Sequence, residues 1–296
     1  MGMVESRNWK DILFDVVIYT LLILILVLTL YPSLYVVFAS VSDPVKLYNG
    51  SKLLLWPRGF STSAYQLIFK HTALWNSYMN TLIYVGASTV LGLALTIMAA
   101  FVLSRSFLPG KGILLTMITV TMFFGGGLIP TYLVVVSLGL VDTRWAMILP
   151  GILSTYNIIM MMTYFRGIPA SLEESAHIDG ANDAVILVKI MIPLAMPVIA
   201  VIALYIIVAH WNSYIPATIY LRSRKLYPLQ IILREILISG TSNLDTQVSD
   251  GYDNFEAYSE AVKYGTIIAS TLPVLCIYPF LQRFFVKGVM LGAIKG

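Results

Sequence analysis

The sequence predicts an all-α integral membrane protein with six transmembrane helices, and three observations carry that prediction. Charged residues make up 11% of the 296 residues and hydrophobic ones 58%. A soluble chain is about 25% charged, so too few charges are present to cover a water-facing surface of this size. Six stretches approach the roughly 20 apolar residues that a spanning helix needs. Runs such as LLILILVLTL at 21–30 are apolar on every face, whereas a membrane barrel alternates apolar and polar with period two. Low charge with high hydrophobicity excludes a disordered chain. The single cysteine, Cys276 in an apolar run, excludes a disulfide scaffold.

The spans follow in chain order. The first covers Val16–Val41 and contains no charge. It is too long for a signal-peptide core and no small-residue cleavage site follows it closely, so it stays as an anchor. The second is Leu82–Leu103, the third Ile113–Leu138, the fourth Trp145–Phe165, the fifth Ile190–Ala209 and the sixth Gly265–Leu281. GGGLIP at 125–130 interrupts the third, because three glycines and a proline cannot continue a stiff helix. Pro193 and Pro197 at the start of the fifth span and Pro273 and Pro279 in the sixth predict kinks.

Six spans place both termini on one side. The short loop SRSFLPGKG at 104–112 holds Arg105 and Lys111 and no acid, and the end beyond Gln282 holds Arg283, Lys287 and Lys295 and no acid. By the positive-inside rule both termini are expected in the cytoplasm. The net charge of +4 does not point to nucleic acid, because the basic residues are scattered at span ends and form no stripe. The partner it implies is membrane lipid.

The loop FRGIPASLEESAHIDGANDAVILVKIMIPLAMP at 165–197 concentrates Glu173, Glu174, Asp179 and Asp183. Ser171 followed three residues later by Glu174 is a capping box, which predicts a helix from Leu172 with Ser171 as its N-cap. Asp179-Gly180 offers a stop and a turn, and Ala181 onward can start a second short helix.

The spacing in this loop resembles the EAA motif of ATP-binding-cassette (ABC) importer permeases: Glu-Ala-Ala, three residues, Gly, nine residues, Ile, one residue, Leu-Pro. Glu174-Ser175-Ala176 is followed by Gly180, then Ile190, Ile192 and Pro193 at the required distances, with Ser175 for the first Ala and Ile192 for Leu. Over nearly the whole chain, segments such as GGGLIPTYLVVVSLGLVDTRWAMILPG at 125–151 and HWNSYIPATIYLRSRKLYPLQIILREIL at 210–237 are similar to carbohydrate-uptake permeases of the MalG-like branch, the LplC or YtcP type. The resemblance implies a type I importer (MetI-like) permease fold. Its domains would be residues 1–75 (first helix and outer loop), 76–285 (transmembrane domain with coupling loop 167–185) and 286–296 (cytoplasmic tail). It implies a coupling helix seated in a cleft of an ATPase, with Glu173, Glu174, Ser175, Ala176, Asp179, Gly180, Ala181 and Pro193 at the contact. The implied partners are a second homologous permease, two copies of an ABC ATPase and an extracellular or periplasmic binding protein. The implied location is the bacterial cytoplasmic membrane, and the implied cargo is an oligosaccharide; separately, the basic Arg222, Arg224 and Lys225 favour acidic sugars such as uronate oligomers.

A sugar path needs hydrogen-bonding groups and aromatic faces, and polar residues inside spans are functional candidates by default. Those candidates are Asn157 in the fourth span, His210, Trp211, Asn212 and Tyr214 at the end of the fifth, and Tyr132 after the GGGLIP break. The polar segment 221–263 carries Arg222, Arg224 and Lys225 and then Asp245, Asp250, Asp253, Glu256 and Glu260, and is expected to dock the binding protein. No phosphate loop occurs, and His71, His177 and His210 lie far apart, so ATP, Mg and any energy source belong to partner subunits and no cofactor or metal is expected in this chain. A self-powered secondary transporter or channel is the second reading, opposed by the lack of acids within the spans. A membrane-embedded enzyme is the third, opposed by the lack of a nucleophile or paired-carboxylate cluster.

Overall fold

The computed structural model describes residues 9–70, 72–105, 108–239 and 255–293. In chain order the helices are α1 (Trp9–Ser40), α2 (Pro44–Tyr48), α3 (Ser63–Lys70), α4 (Thr72–Ser104), α5 (Lys111–Phe123), α6 (Leu128–Ser137), α7 (Trp145–Ile148), α8 (Thr155–Arg166), α9 (Ala170–Ile178) and α10 (Asp183–Ile186). A π-helical turn, Leu187–Met191, leads to α11 (Ile192–Leu194), α12 (Met196–Trp211), α13 (Tyr214–Tyr220), α14 (Leu229–Ser239) and α15 (Phe255–Ala293). The chain divides into two compact units, Met1–His71 with Glu235–Thr271 and Thr72–Arg234 with Leu272–Gly296.

Within the first unit, α1 exposes apolar residues on all sides along most of its length and buries only Ala39 and Ser40. Lipid is the solvent for such a surface. The unit's small core joins Ala39, Leu47 and Leu54 to Tyr35, Phe38 and Tyr264. α2 starts where Asp43 accepts a hydrogen bond from the Lys46 amide and Pro44 occupies the first turn. A Cβ on Gly265 would lie 2.7 Å from Ile68 Cδ1, so glycine lets α15 close on α3.

The second unit is organised by α4, against which α8 and α12 pack. Tyr84, Ser88, Gly92, Thr96 and Ala100 recur every four residues on α4 and are buried. Small residues at this spacing let spanning helices approach closely. At Gly92 a Cβ would sit 3.1 Å from Ile152 O and 3.2 Å from Ile206 Cδ1. Further along, Ile97, Ala100 and Phe101 join Met161, Met162 and Phe165 of α8 and Val198, Ile202 and Ile206 of α12 in one core.

Among the described residues three single helices are long and apolar enough to span, Trp9–Ser40, Thr72–Ser104 and Phe255–Ile277, and the number reaches up to five if each of two bent pairs counts as one span. The third expected span is one of these pairs: α5 and α6 meet at 112° across Phe124–Gly127, where Gly127 has φ +82°. The fifth is the other pair, Asp183–Leu194 and Met196–Trp211 at 82°. The fourth expected span is not one helix. Pro150 and Gly151 (φ +73°) end its first piece, and Ser154 restarts it by accepting from the Asn157 amide at 3.5 Å. That leaves α8 with 12 residues, about 18 Å against the roughly 30 Å of a bilayer core. α15 runs on through Pro273 and Pro279 without a break.

The loop after α6 is pinned by Asp142, a non-glycine residue at φ +58°. Its carboxylate accepts from the Arg222 amide (2.9 Å), the Ser223 amide (2.8 Å) and the Ser223 hydroxyl (2.5 Å), and its own amide donates to Tyr220 O at 2.8 Å. These bonds, the Ser223 hydroxyl foremost, hold its pKa below the usual carboxylate range.

Two outcomes are expected. Gly92→Val forces α4 from its neighbours and destabilises by about 1–3 kcal/mol, read as a lower melting temperature in detergent; an unchanged melting temperature would show that the contact is slack. Because the folded Asp142 pKa is depressed, its clamp contributes fully above the ordinary aspartate pKa of about 3.9 and is lost as pH falls through the lowered value. Asp142→Asn, which still tolerates positive φ, therefore lowers stability at pH 6, and that deficit narrows on acidification below about pH 4.

Candidate functional site

The elbow between α8 and α12 is built from backbone outward. Pro169, at φ −58° and ψ 128°, breaks from α8 and becomes the N-cap of α9, so the helix opens at Ala170 and Ser171 lies inside its first turn. The expected capping box does not form: no side chain caps α9, and the Ser171 carbonyl accepts from Ser175 Oγ at 2.8 Å. A proline, which has no amide hydrogen to satisfy, displaces the serine by two residues. The expected stop does form. Gly180 at φ +83° donates to His177 O (3.0 Å) and Ala181 donates to Ala176 O (2.9 Å), a Schellman closure. Asn182 then caps α10 by accepting from the Val185 amide at 2.9 Å.

This elbow is seated on the unit's own core. Ala176, Ile186 and Met191 are buried against it. Glu173 also faces inward and forms an ion pair with Arg105, just beyond the end of α4; the two side chains are 19% and 12% exposed. The Arg105 guanidinium lies 4.0 Å over the Phe101 ring. Burial pushes the Arg105 pKa down, and the charge of Asp183 opposes that shift. On the other side, Glu174, Ser175, Asp179 and Gly180 are exposed together with Leu172 (44%) and Ile178 (86%). Ala181 is half-buried, and Pro193 is exposed in α11. The eight residues expected in this loop thus separate into an inward anchor and a bare outward face.

Toward the middle of α4, where Gly92 meets Ile152 and Ile206, lies a cavity of about 370 Å³, adjoined by one of about 720 Å³ with which it shares Gly151, Ala209 and His210. Asn157 lines the first with Ser154, Tyr156 and Tyr205. Asn212 and Tyr214 line the second with Thr131, Ser213 and Tyr220. Trp211 and Tyr132 are not among the lining residues. Trp211 is buried and meets Tyr78 edge-on at 6.0 Å, and Tyr132 stacks on Tyr220 at 6.4 Å. The sequence reading missed Tyr156 and Tyr205, whose rings pair at 6.3 Å; their signal was a tyrosine inside each of two spans that face each other.

It also missed three polar residues of α4. Asn80 Nδ2 donates to Lys225 O (2.7 Å) and Tyr227 O (3.2 Å), Tyr84 OH donates to Leu226 O (2.7 Å), and Thr81 Oγ1 accepts from the Leu229 amide (2.8 Å). These bonds fix the start of the polar segment and leave Arg222, Arg224 and Lys225 exposed. Asp245, Asp250 and Asp253 lie outside the described residues.

Bent spans, a cavity with polar groups set in an apolar lining and an anchored elbow with a bare outer face are the features of a membrane transport subunit. No protein-family model matches the chain. It is 38% identical to the polygalacturonan/rhamnogalacturonan transport system permease protein YtcP of Bacillus subtilis (strain 168), over 97% of this chain and 100% of that protein. Its fold matches the crystal structure of a bacterial ABC transporter involved in the import of the acidic polysaccharide alginate, with TM-score 0.87 and 32% identity, covering 95% of this chain and 100% of that one. A bacterial alginate ABC transporter in complex with an alginate pentasaccharide-bound periplasmic protein matches at TM-score 0.54 and 16% identity over 94% and 96% of the two chains, a likeness of fold. The chain belongs to the permease family of ABC importers, and is accordingly a multi-pass membrane subunit that transports and does not catalyse.

The Arg105–Glu173 pair is testable apart from transport. Arg105→Gln strands a largely buried carboxylate at a cost of about 1–3 kcal/mol, seen as faster limited proteolysis within 167–185. The exchange R105E/E173R is expected to restore protection; if it does not, the pair does not hold the elbow.

Proposed function

We propose that this chain is the permease subunit of an importer that carries oligosaccharides across the bacterial cytoplasmic membrane by alternating access. The observation that carries the proposal is the elbow. Its inner face is tied to the core of the spans, while its outer face presents Ile178, 86% exposed, between Glu174 and Asp179. An apolar knob ringed by acids fits a cleft with basic walls on an ATPase, and an anchored elbow passes the movement of such a partner to the spans. Two ATPase copies and a second homologous permease complete the assembly, with ATP and Mg bound by the ATPases. Residues 167–185 form the coupling loop within a transmembrane domain spanning 76–285, and the elbow lies on the cytoplasmic side together with both termini. The far side of α4, with Arg222, Arg224 and Lys225 exposed, receives a substrate-binding protein; the captured complex of a structural neighbour with a sugar-loaded periplasmic protein supports this. The cavities supply what sugars bind to, hydroxyl and amide groups beside Tyr156, Tyr205 and Tyr214, and YtcP and the alginate importer are named for saccharide transport.

The test is co-purification and reconstitution. Ile178→Asp is expected to abolish recovery of the ATPase with the permease while membrane insertion persists. Gly180→Val, which puts a β-branched residue at φ +83°, is expected to leave ATP hydrolysis but lower uptake at least tenfold. ATPase recovery unaffected by I178D, or oligosaccharide uptake by this chain alone, would overturn the reading.

A further inference from the structure

The larger cavity holds neither a cation nor an anion among its lining residues, yet a cation stands directly behind its rim. Gln230 and Arg234 lie one turn apart on α14 and share a face. Gln230 Nε2 donates to Asn212 Oδ1 at 3.4 Å, and the Arg234 guanidinium carbon lies 4.3 Å above the Tyr214 ring. Asn212 and Tyr214 both line the cavity. Arg234 is itself exposed.

Stacking determines what this guanidinium can do. The Tyr214 ring occupies one of its faces and limits its rotamers, while its N–H donors point outward in the guanidinium plane. A carboxylate is the ligand that takes two such donors at once, at a small entropic cost because the fork is already oriented. A neutral hydroxyl gains much less. The rest of the cavity, uncharged and aromatic, treats acidic and neutral sugars alike.

We propose that Arg234, held on Tyr214, forms a carboxylate subsite at the cavity rim and makes this path selective for uronate-bearing oligosaccharides. The inference rests on the reading that an oligosaccharide passes here, and adds the charge of that cargo and the residue that recognises it.

The experiment uses the complete permease–ATPase complex in nanodiscs, without the binding protein, whose own selectivity is thereby removed. Binding of a galacturonate pentamer is compared with that of its fully methyl-esterified form. The wild type is expected to prefer the acid. Arg234→Gln should lower acid affinity about tenfold, the effect of losing one charge-assisted pair, and leave the ester unchanged, with Arg234→Lys in between. Equal loss for both ligands, or no loss for either, overturns the subsite. If the wild type binds neither, uptake with the binding protein present separates the two ideas. Uptake of either oligomer then retains the oligosaccharide reading and rejects the subsite; uptake of neither rejects both.

Discussion

A backbone amide in hydrocarbon has no water to bind, so every interruption of a spanning helix must be met by a group of the protein itself. Much of this structure follows from that requirement. Within a span, the break after α7 is closed by Ser154; outside the spans the same satisfaction recurs, the chain leaving α13 being met by Asp142 and the segment 225–229 by Asn80, Thr81 and Tyr84. These polar side chains look out of place in an apolar sequence only until their backbone partners are identified. Of these stretches, the one that Ser154 closes also lines a cavity.

The same economy governs the elbow. Its backbone is self-sufficient, with a Schellman closure at Gly180 and an Asn182 cap. Its side chains can therefore be divided cleanly between a seat and a surface. Ala176 is small because α9 lies against its own core there, and Glu173 is acidic because Arg105 is its neighbour. Glu174 and Asp179 have no comparable anchoring role, and their exposure next to Ile178 is what supports the proposed ATPase contact on this face.

Much of this was legible in the sequence, and the misses share one cause. Uniformly apolar runs announced α1 and α4, GGGLIP announced the bend between α5 and α6, and Asp179-Gly180 announced the end of α9, since each is a local property of the chain. The fourth span failed because an apolar count cannot see Pro150-Gly151 turning the chain within a hydrophobic stretch. The capping box failed because Pro169, two residues upstream, starts the helix first. Ala176 was expected on the docking face, and Trp211 in the sugar path; only tertiary packing shows that each turns inward. Four path candidates, Asn157, His210, Asn212 and Tyr214, do line the cavities, since a polar residue retained in a span has few other uses.

α4 has one further consequence. It is a single helix of 33 residues with no proline, about 50 Å long. Near one end it grips the segment that leads to Gln230 and Arg234, and just beyond the other Arg105 grips the elbow. In the proposed transport cycle the helix is a push-rod of fixed length: a displacement delivered to the elbow arrives at the cavity rim as displacement. On that proposal the timing between the two faces is kept by geometry, with no chemical signal having to cross between them.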